Sequence, residues 1–142
     1  MNLLRTARSA IRDRRGNAVV EFALLSLPMV VIVLGFFELG RYFYLSESIG
    51  NAAREGARAA AVRGAASPQP ARAEDIAAIV HRHAPGFVPA DSLDVRTSYA
   101  PDNSPGASVA VTVVYSYRLL VPWVAAFTTI EIQKHAALTI SR

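Results

Sequence analysis

From Ala18 to Phe37 the chain reads AVVEFALLSLPMVVIVLGFF, apolar on every side of a helix and interrupted by a single charge, Glu21. Twenty helical residues rise about 30 Å, the thickness of a bilayer's hydrocarbon core. A surface helix of a soluble domain carries one apolar stripe instead, and an all-round apolar helix is buried either in a large core or in a membrane. The all-round apolar run, with charge on both flanks, therefore predicts a transmembrane segment over about residues 18–37. Pro28 lies inside it, which membrane helices tolerate.

Beyond Phe37 the pattern changes without a break. Glu38 to Arg63 contains no proline and is rich in alanine, glutamate and arginine, all good helix formers. Phe43, Ile49, Ala52, Ala53, Ala57, Ala60 and Ala61 approximate a stripe at helical spacing. One helix is expected from about Asn17 to about Arg63, roughly 70 Å long. Its first half is suited to lipid. Its second half carries small residues suited to close approach of another element.

Residues 64–73, beginning GAASPQPA, read as a linker. Glu74 to His83 predicts a short helix with Ile76, Ile79 and Val80 on its apolar side, ended by Pro85, Gly86 and Pro89. The period then becomes two. Leu93, Val95 and Thr97 alternate with Asp94, Arg96 and Ser98, as in a strand. Ala100 to Ala107 is a turn. Ser108 to Leu119 is the strongest strand pattern, with Val109, Val111, Val113, Tyr115 and Tyr117 on one face. Ile130 to Ile140 is a third strand. Sequential strands with short turns imply an antiparallel meander, whose apolar face needs a cover. The fold class expected is α+β: a long N-terminal helix, its first half transmembrane, packed on a small antiparallel sheet. Residues 74–142 form the extracytoplasmic domain.

Charge adds an orientation. Five of the 15 basic residues (Arg5, Arg8, Arg12, Arg14 and Arg15) and one of the 11 acids lie within residues 1–16, leaving ten of each sign in the remainder. A neutral remainder argues against nucleic acid as a partner. Arginines ahead of the apolar run, with only Arg41 close behind it, put the N-terminus in the cytoplasm and residues after about Leu39 outside. Glu38-Leu39-Gly40-Arg41 lacks the small-residue site of a cleaved secretory signal, so the apolar helix is expected to be retained. The absence of cysteine removes disulfides and thiolate sites.

The junction Arg14-Arg15-Gly16-Asn17-Ala18-Val19-Val20-Glu21-Phe22 is the informative segment. A basic stretch ends in glycine, and the apolar helix follows with its one acid five residues on. This resembles type IV prepilins, whose leader is cut after glycine and whose fifth mature residue is glutamate. The resemblance implies residues 1–16 as leader, a cut between Gly16 and Asn17, and Glu21 and Phe22 as residues of processing and assembly. A carboxylate inside a membrane segment requires a partner. A cut after Gly16 would create an amine at Asn17, one helical turn from Glu21 and on the same face.

The wider stretch is similar to the TadE-like family, pseudopilins of the tight-adherence (Flp) pilus system. The features that carry this are Arg-Arg-Gly, Val20-Glu21-Phe22, Pro28, Glu38-Leu39-Gly40-Arg41 and Ala53-Arg54-Glu55-Gly56-Ala57-Arg58, covering about residues 14–62. The strand region is similar only in general pattern. The resemblance implies processing by a prepilin peptidase, pilins and pilus assembly proteins as partners, a bacterial inner-membrane location, and a minor role in pilus biogenesis. Major pilins of that system are much shorter than this chain.

Glu38, Arg41, Arg54, Glu55, Arg58 and Trp123 are candidates for helix packing or an interface. Glu38–Arg41 and Glu55–Arg58 have the spacing of helical ion pairs, worth only tenths of a kcal/mol when exposed. Arg41, Tyr42 and Tyr44 equally suit an interfacial anchor. Leu119 to Phe127, LLVPWVAAF, reads either as a buried connection or as an exposed patch with Trp123 as its anchor. No triad, phosphate loop or metal-ligand spacing occurs: His81 and His83 point apart on a helix, and His135 stands alone. The expected function is a non-enzymatic minor pseudopilin with no cofactor, no metal and no small-molecule substrate. The alternative is an uncleaved, signal-anchored extracytoplasmic binding module, and a weaker third option is an envelope enzyme.

Overall fold

The computed structural model describes residues 14–120 and 129–141. The elements are α1 (Arg14–Val62), α2 (Ala73–His83), a 3-10 turn (Ala90–Ser92), β1 (Leu93–Ala100), β2 (Ser108–Arg118) and β3 (Thr129–Thr139). The architecture is α+β, a long N-terminal helix packed on a three-stranded antiparallel sheet of order β1-β2-β3. The chain divides into two compact units, one ending at Phe37 and the other running from Glu38 to its end.

In the first unit α1 is exposed. It is long and apolar enough to cross a membrane, and none of its most apolar window is buried within the chain. Val20, Phe22, Leu24, Leu27, Met29 and Phe36 all face outward. Pro28 has no N–H for the Leu24 carbonyl, and the Ser26 hydroxyl donates to the Ala23 carbonyl one turn back (3.0 Å).

The second unit has one apolar core. Val109, Val111 and Val113 alternate inward along β2 and are fully buried. At about 1.5–3 kcal/mol for each buried aliphatic side chain, this row is a major source of stability. β2 pairs with β1 from Leu93↔Tyr115 to Ala100↔Ser108, and with β3 from Ser108↔Thr139 to Arg118↔Thr129. The opposite face of the sheet is polar: Asp94, Arg96 and Ser98 are exposed, and Thr112 meets His135 Nδ1 across the strands (3.2 Å).

The outer half of α1 covers the apolar face. Its buried side chains are Leu45, Ile49, Ala52, Ala53, Ala57, Ala60 and Ala61. Phe43, expected in this stripe, is instead 62% exposed. Six residues before Ile49 is about 240° around a helix, whereas Leu45, four before, falls on the packing face. The helix also begins three residues before the expected Asn17 and ends one before Arg63. At its C-terminus the Ala61 carbonyl accepts from the backbone N–H and hydroxyl of Ser141 (2.9 and 3.2 Å), so the last strand's extension caps the helix.

Residues 64–72, expected as a plain linker, are tied into the unit. The Ala65 N–H donates to the Asn103 carbonyl, the Ala71 N–H to the Arg63 carbonyl, and Ala71 is buried. The Asp75 carboxylate accepts from the Arg72 N–H at the start of α2 (3.0 Å), half of a capping box. Ile76 and Val80 of α2 are fully buried, while Ile79 is half-buried. β3 departs from simple alternation, because Lys134 lies in its inward row. The Lys134 stem runs beside Gly50, and its ammonium lies 3.9 Å from Glu47, so the charge reaches water while the methylenes cover the core.

Gly56 sets the distance between layers. A Cβ there would lie 2.7 Å from Cγ2 of Val80, with Ile76 and Val111 also in contact. At Gly50 the nearest atom to such a Cβ is 3.6 Å away, an ordinary contact. Gly56→Ala should therefore lower stability, since overpacking costs about 1–3 kcal/mol. Gly50→Ala should raise it by up to about 1 kcal/mol through helix propensity. Thermal unfolding of the two variants beside the parent, in detergent, tests the opposite signs.

Candidate functional site

Two groups of residues stand out, one in each unit. In the first, Gly16, Asn17, Glu21 and Phe22 all lie on the exposed part of α1. Asn17 and Glu21 are one turn apart on one face of a continuous helix. Among the described residues, neither an ion pair nor a side-chain hydrogen bond reaches the Glu21 carboxylate. A Cβ at Gly16 would meet nothing within 4 Å, so the backbone there is open to approach.

The second group is built around Glu38, the first residue of the folded unit. Three donors converge on its Oε1: the Tyr117 hydroxyl (2.6 Å), Nη2 of Arg41 (2.8 Å) and the backbone N–H of Leu120 (3.2 Å). Arg41 completes a triangle. Its Nε donates to the Tyr117 hydroxyl (2.9 Å), its Nη2 also donates to the Arg118 carbonyl (2.6 Å), and its guanidinium lies 4.7 Å from the Tyr117 ring centre. Tyr42 packs edge-on against Tyr117. Each position follows from its element. Glu38 and Arg41 are neighbours on one helical face, and Tyr117 ends the inward row of β2.

The electrostatics agree with the geometry. Burial opposes ionisation of Glu38, but the hydrogen bonds from Tyr117, Arg41 and Leu120 outweigh it and hold the carboxyl below its ordinary value of 4.5. Burial and the Glu38 carboxylate push the Tyr117 phenol up to about 12. The stable state is a Glu38 carboxylate with a neutral Tyr117 donor. The side chain of Glu38 is only 13% exposed, so this is not the freely solvated ion pair that the spacing alone describes. The cluster has the character of a clamp, fixing the start of the folded unit to the end of β2 and to the chain just after it.

The other sequence candidates do not join it. Arg54 is exposed and donates to Asn51 Oδ1. Glu55 and Arg58 form no ion pair with each other and line a shallow groove with Ala59, Val62, Arg63, Ile79 and Arg82. Trp123 and most of the Leu119–Phe127 stretch lie outside the described residues, as do Arg5, Arg8 and Arg12 of the expected leader. Among the described residues no cluster of histidine and acidic side chains could hold a metal. Tyr117 was missed as a site residue. Its alternation marked it as inward, but nothing local in sequence links it to Glu38, 79 positions away.

Tyr117→Phe should cost about 1–3 kcal/mol, the usual effect of removing a hydrogen bond from a buried charged partner. Folding lowers the Glu38 pKa, so its contribution is complete above 4.5 and is lost as pH falls through the lower folded value. Melting temperature against pH should therefore fall less steeply on the acid side in Glu38→Gln. Some slope should remain, because Ser104 also holds the exposed Asp102 carboxylate below its ordinary value. An unchanged acid limb in Glu38→Gln would show that the clamp does not contribute to stability.

A family model described as TadE-like protein matches residues 16–58. No curated protein and no solved structure matches the chain. The match takes in Glu21 and the Glu38–Arg41 pair and stops short of α2 and the sheet. Over residues 16–58, from the open glycine to the last arginine of the small-residue face, the chain is similar to that family.

Proposed function

We propose that this chain is a minor pseudopilin of a tight-adherence-type pilus. It is made with a basic leader and cut between Gly16 and Asn17 by a prepilin peptidase. Residues 18–37 hold it in the inner membrane, with the N-terminus cytoplasmic and residues after about Leu39 outside. A TadE-like region with an apolar N-terminal helix fits a protein associated with such a pilus, and association with other pilus components follows from the family. The carrying observation is Glu21, a carboxylate with no partner among the described residues, in an exposed stretch of apolar helix, five residues past Gly16 and inside the family match.

The chemistry supplies the reason for a cut. A carboxylate in the bilayer costs several kcal/mol unless it is paired. Cleavage after Gly16 creates an α-amine on Asn17, within reach of Glu21 of the same chain or of a neighbour. It also removes five arginines that hold the N-terminus at the cytoplasmic surface. The mature helix can then leave the bilayer for an assembly. The folded unit from Glu38 onward supports a minor, capping or initiating role rather than the repeating body of a filament.

The N-terminal residue of the membrane-purified protein tests this. An N-terminus at Asn17 that reverts to Met1 without the prepilin peptidase, and when Gly16→Leu is introduced, is the expected result. A chain that begins at Met1 while the peptidase is active would leave a signal-anchored module and sink the pseudopilin reading.

A further inference from the structure

The folded unit is polar over the far face of its sheet, but exposed apolar side chains gather at the end where α1 enters. Leu39 and Phe43, one turn apart, lie on one flank of the helix, 54% and 62% exposed. Tyr44 lies on another flank, and Phe87 stacks on it from the turn after α2, with ring centres 6.3 Å apart and planes 23° apart. Phe87 is itself 64% exposed. It occupies the tip of a tight turn closed by the Val88 N–H donating to the Pro85 carbonyl (2.8 Å), and buried Val88 roots that turn in the core. Leu120 is also exposed, and the Glu38 clamp holds its backbone at the same level of the helix. Three segments remote in sequence thus form an apolar collar around residues 38–44 of α1.

We propose that this collar is a lipid-contact surface, which seats the folded unit in the interfacial layer of the bilayer that residues 18–37 cross. The proposal rests on the membrane reading of that segment. Continuity along the helix identifies the occupant. Leu39 to Tyr44 follow Phe37 by about 3 to 10 Å of helical rise, and the polar layer on each side of a hydrocarbon core is about 5–7 Å thick. Tyrosine is enriched at that depth, phenylalanine and leucine form the apolar side of interfacial segments, and the collar holds Tyr44 with Phe43 and Phe87. An aromatic ring at the tip of a rooted turn is unfavourable in water, whereas it can be buried by lipid. Exposed Arg118, next to the clamp, supplies a cation for lipid phosphates. Phe87 is the key residue, because no requirement of the helix places an aromatic ring there.

The chain contains no cysteine, so single labels report cleanly. A Cβ at Gly86 would meet nothing within 4 Å, so Gly86→Cys carries a nitroxide beside an intact Phe87. The full chain is reconstituted in vesicles of phosphatidylethanolamine and phosphatidylglycerol. Collision of the spin label with oxygen, which concentrates in lipid, is compared with collision with a water-soluble nickel chelate. Leu27→Cys marks the membrane segment and Ser98→Cys the polar face of the sheet. The expected oxygen-to-nickel ratio at Gly86→Cys is several-fold above that at Ser98→Cys and below that at Leu27→Cys. Adding Phe87→Ser should bring it down to the Ser98→Cys value. A lipid signal at Leu27→Cys with a water signal at Gly86→Cys overturns the proposal and leaves the membrane segment standing. A water signal at Leu27→Cys overturns both. Protection of Gly86→Cys from both reagents, with spin–spin broadening that disappears on dilution by unlabelled chain, would assign the collar to a second copy and also overturn it.

Discussion

The folded unit depends on how closely a helix backbone can approach a sheet. Ala52, Ala53, Gly56, Ala57, Ala60 and Ala61 present almost no side-chain volume on the packing face of α1, and Val109, Val111 and Val113 of β2 occupy the space. Gly56 is the tightest point, where Val80 from α2 and Val111 from β2 both meet the helix. A bulky face would hold the layers apart and leave α2 without a seat. Larger side chains, Leu45 and Ile49, appear toward the start of this face, and there Tyr117 and the Glu38–Arg41 pair fill the wider gap.

Much of this was legible because two periodicities are simple. Alternation in β2 follows from the pleat, and one apolar face fixes both registers, since a one-residue slip would turn Val109, Val111 and Val113 outward. The small-residue stripe was likewise readable, apart from Phe43, whose apolar character suggested burial although its helical angle does not. Lys134 concealed the inward row of β3, because a long cationic stem can serve as core while its head reaches solvent. The site was half legible. Gly16, Asn17 and Glu21 belong to a local pattern. The meeting of Glu38 with Tyr117, and of Tyr44 with Phe87, depends on how remote segments pack, which no local spacing encodes. The ion pair read from Glu38 and Arg41 was correct in its partners, but its depth came from Tyr117 and the Leu120 amide.

At Phe37–Glu38 the helix changes character. Before it, every exposed side chain but a few is apolar; after it, charge returns and one face turns to protein. Glu38 is the first residue that the folded unit claims, and three hydrogen bonds on one carboxylate oxygen fix it there. The TadE-like match, residues 16–58, spans this boundary and takes in both the apolar run and the Glu38–Arg41 pair. The sheet lies outside the match.

Because α1 is a single helix, its backbone amides from one end to the other pair within the helix itself, apart from its terminal groups and the Leu24 carbonyl opposite Pro28. Such a rod is indifferent to what surrounds it. Hydrocarbon tails, or the flanks of identical rods, can replace one another around its apolar half without a main-chain bond being broken or re-formed. If the chain enters an assembly as proposed, side-chain packing and the fate of one carboxylate, Glu21, would decide the exchange.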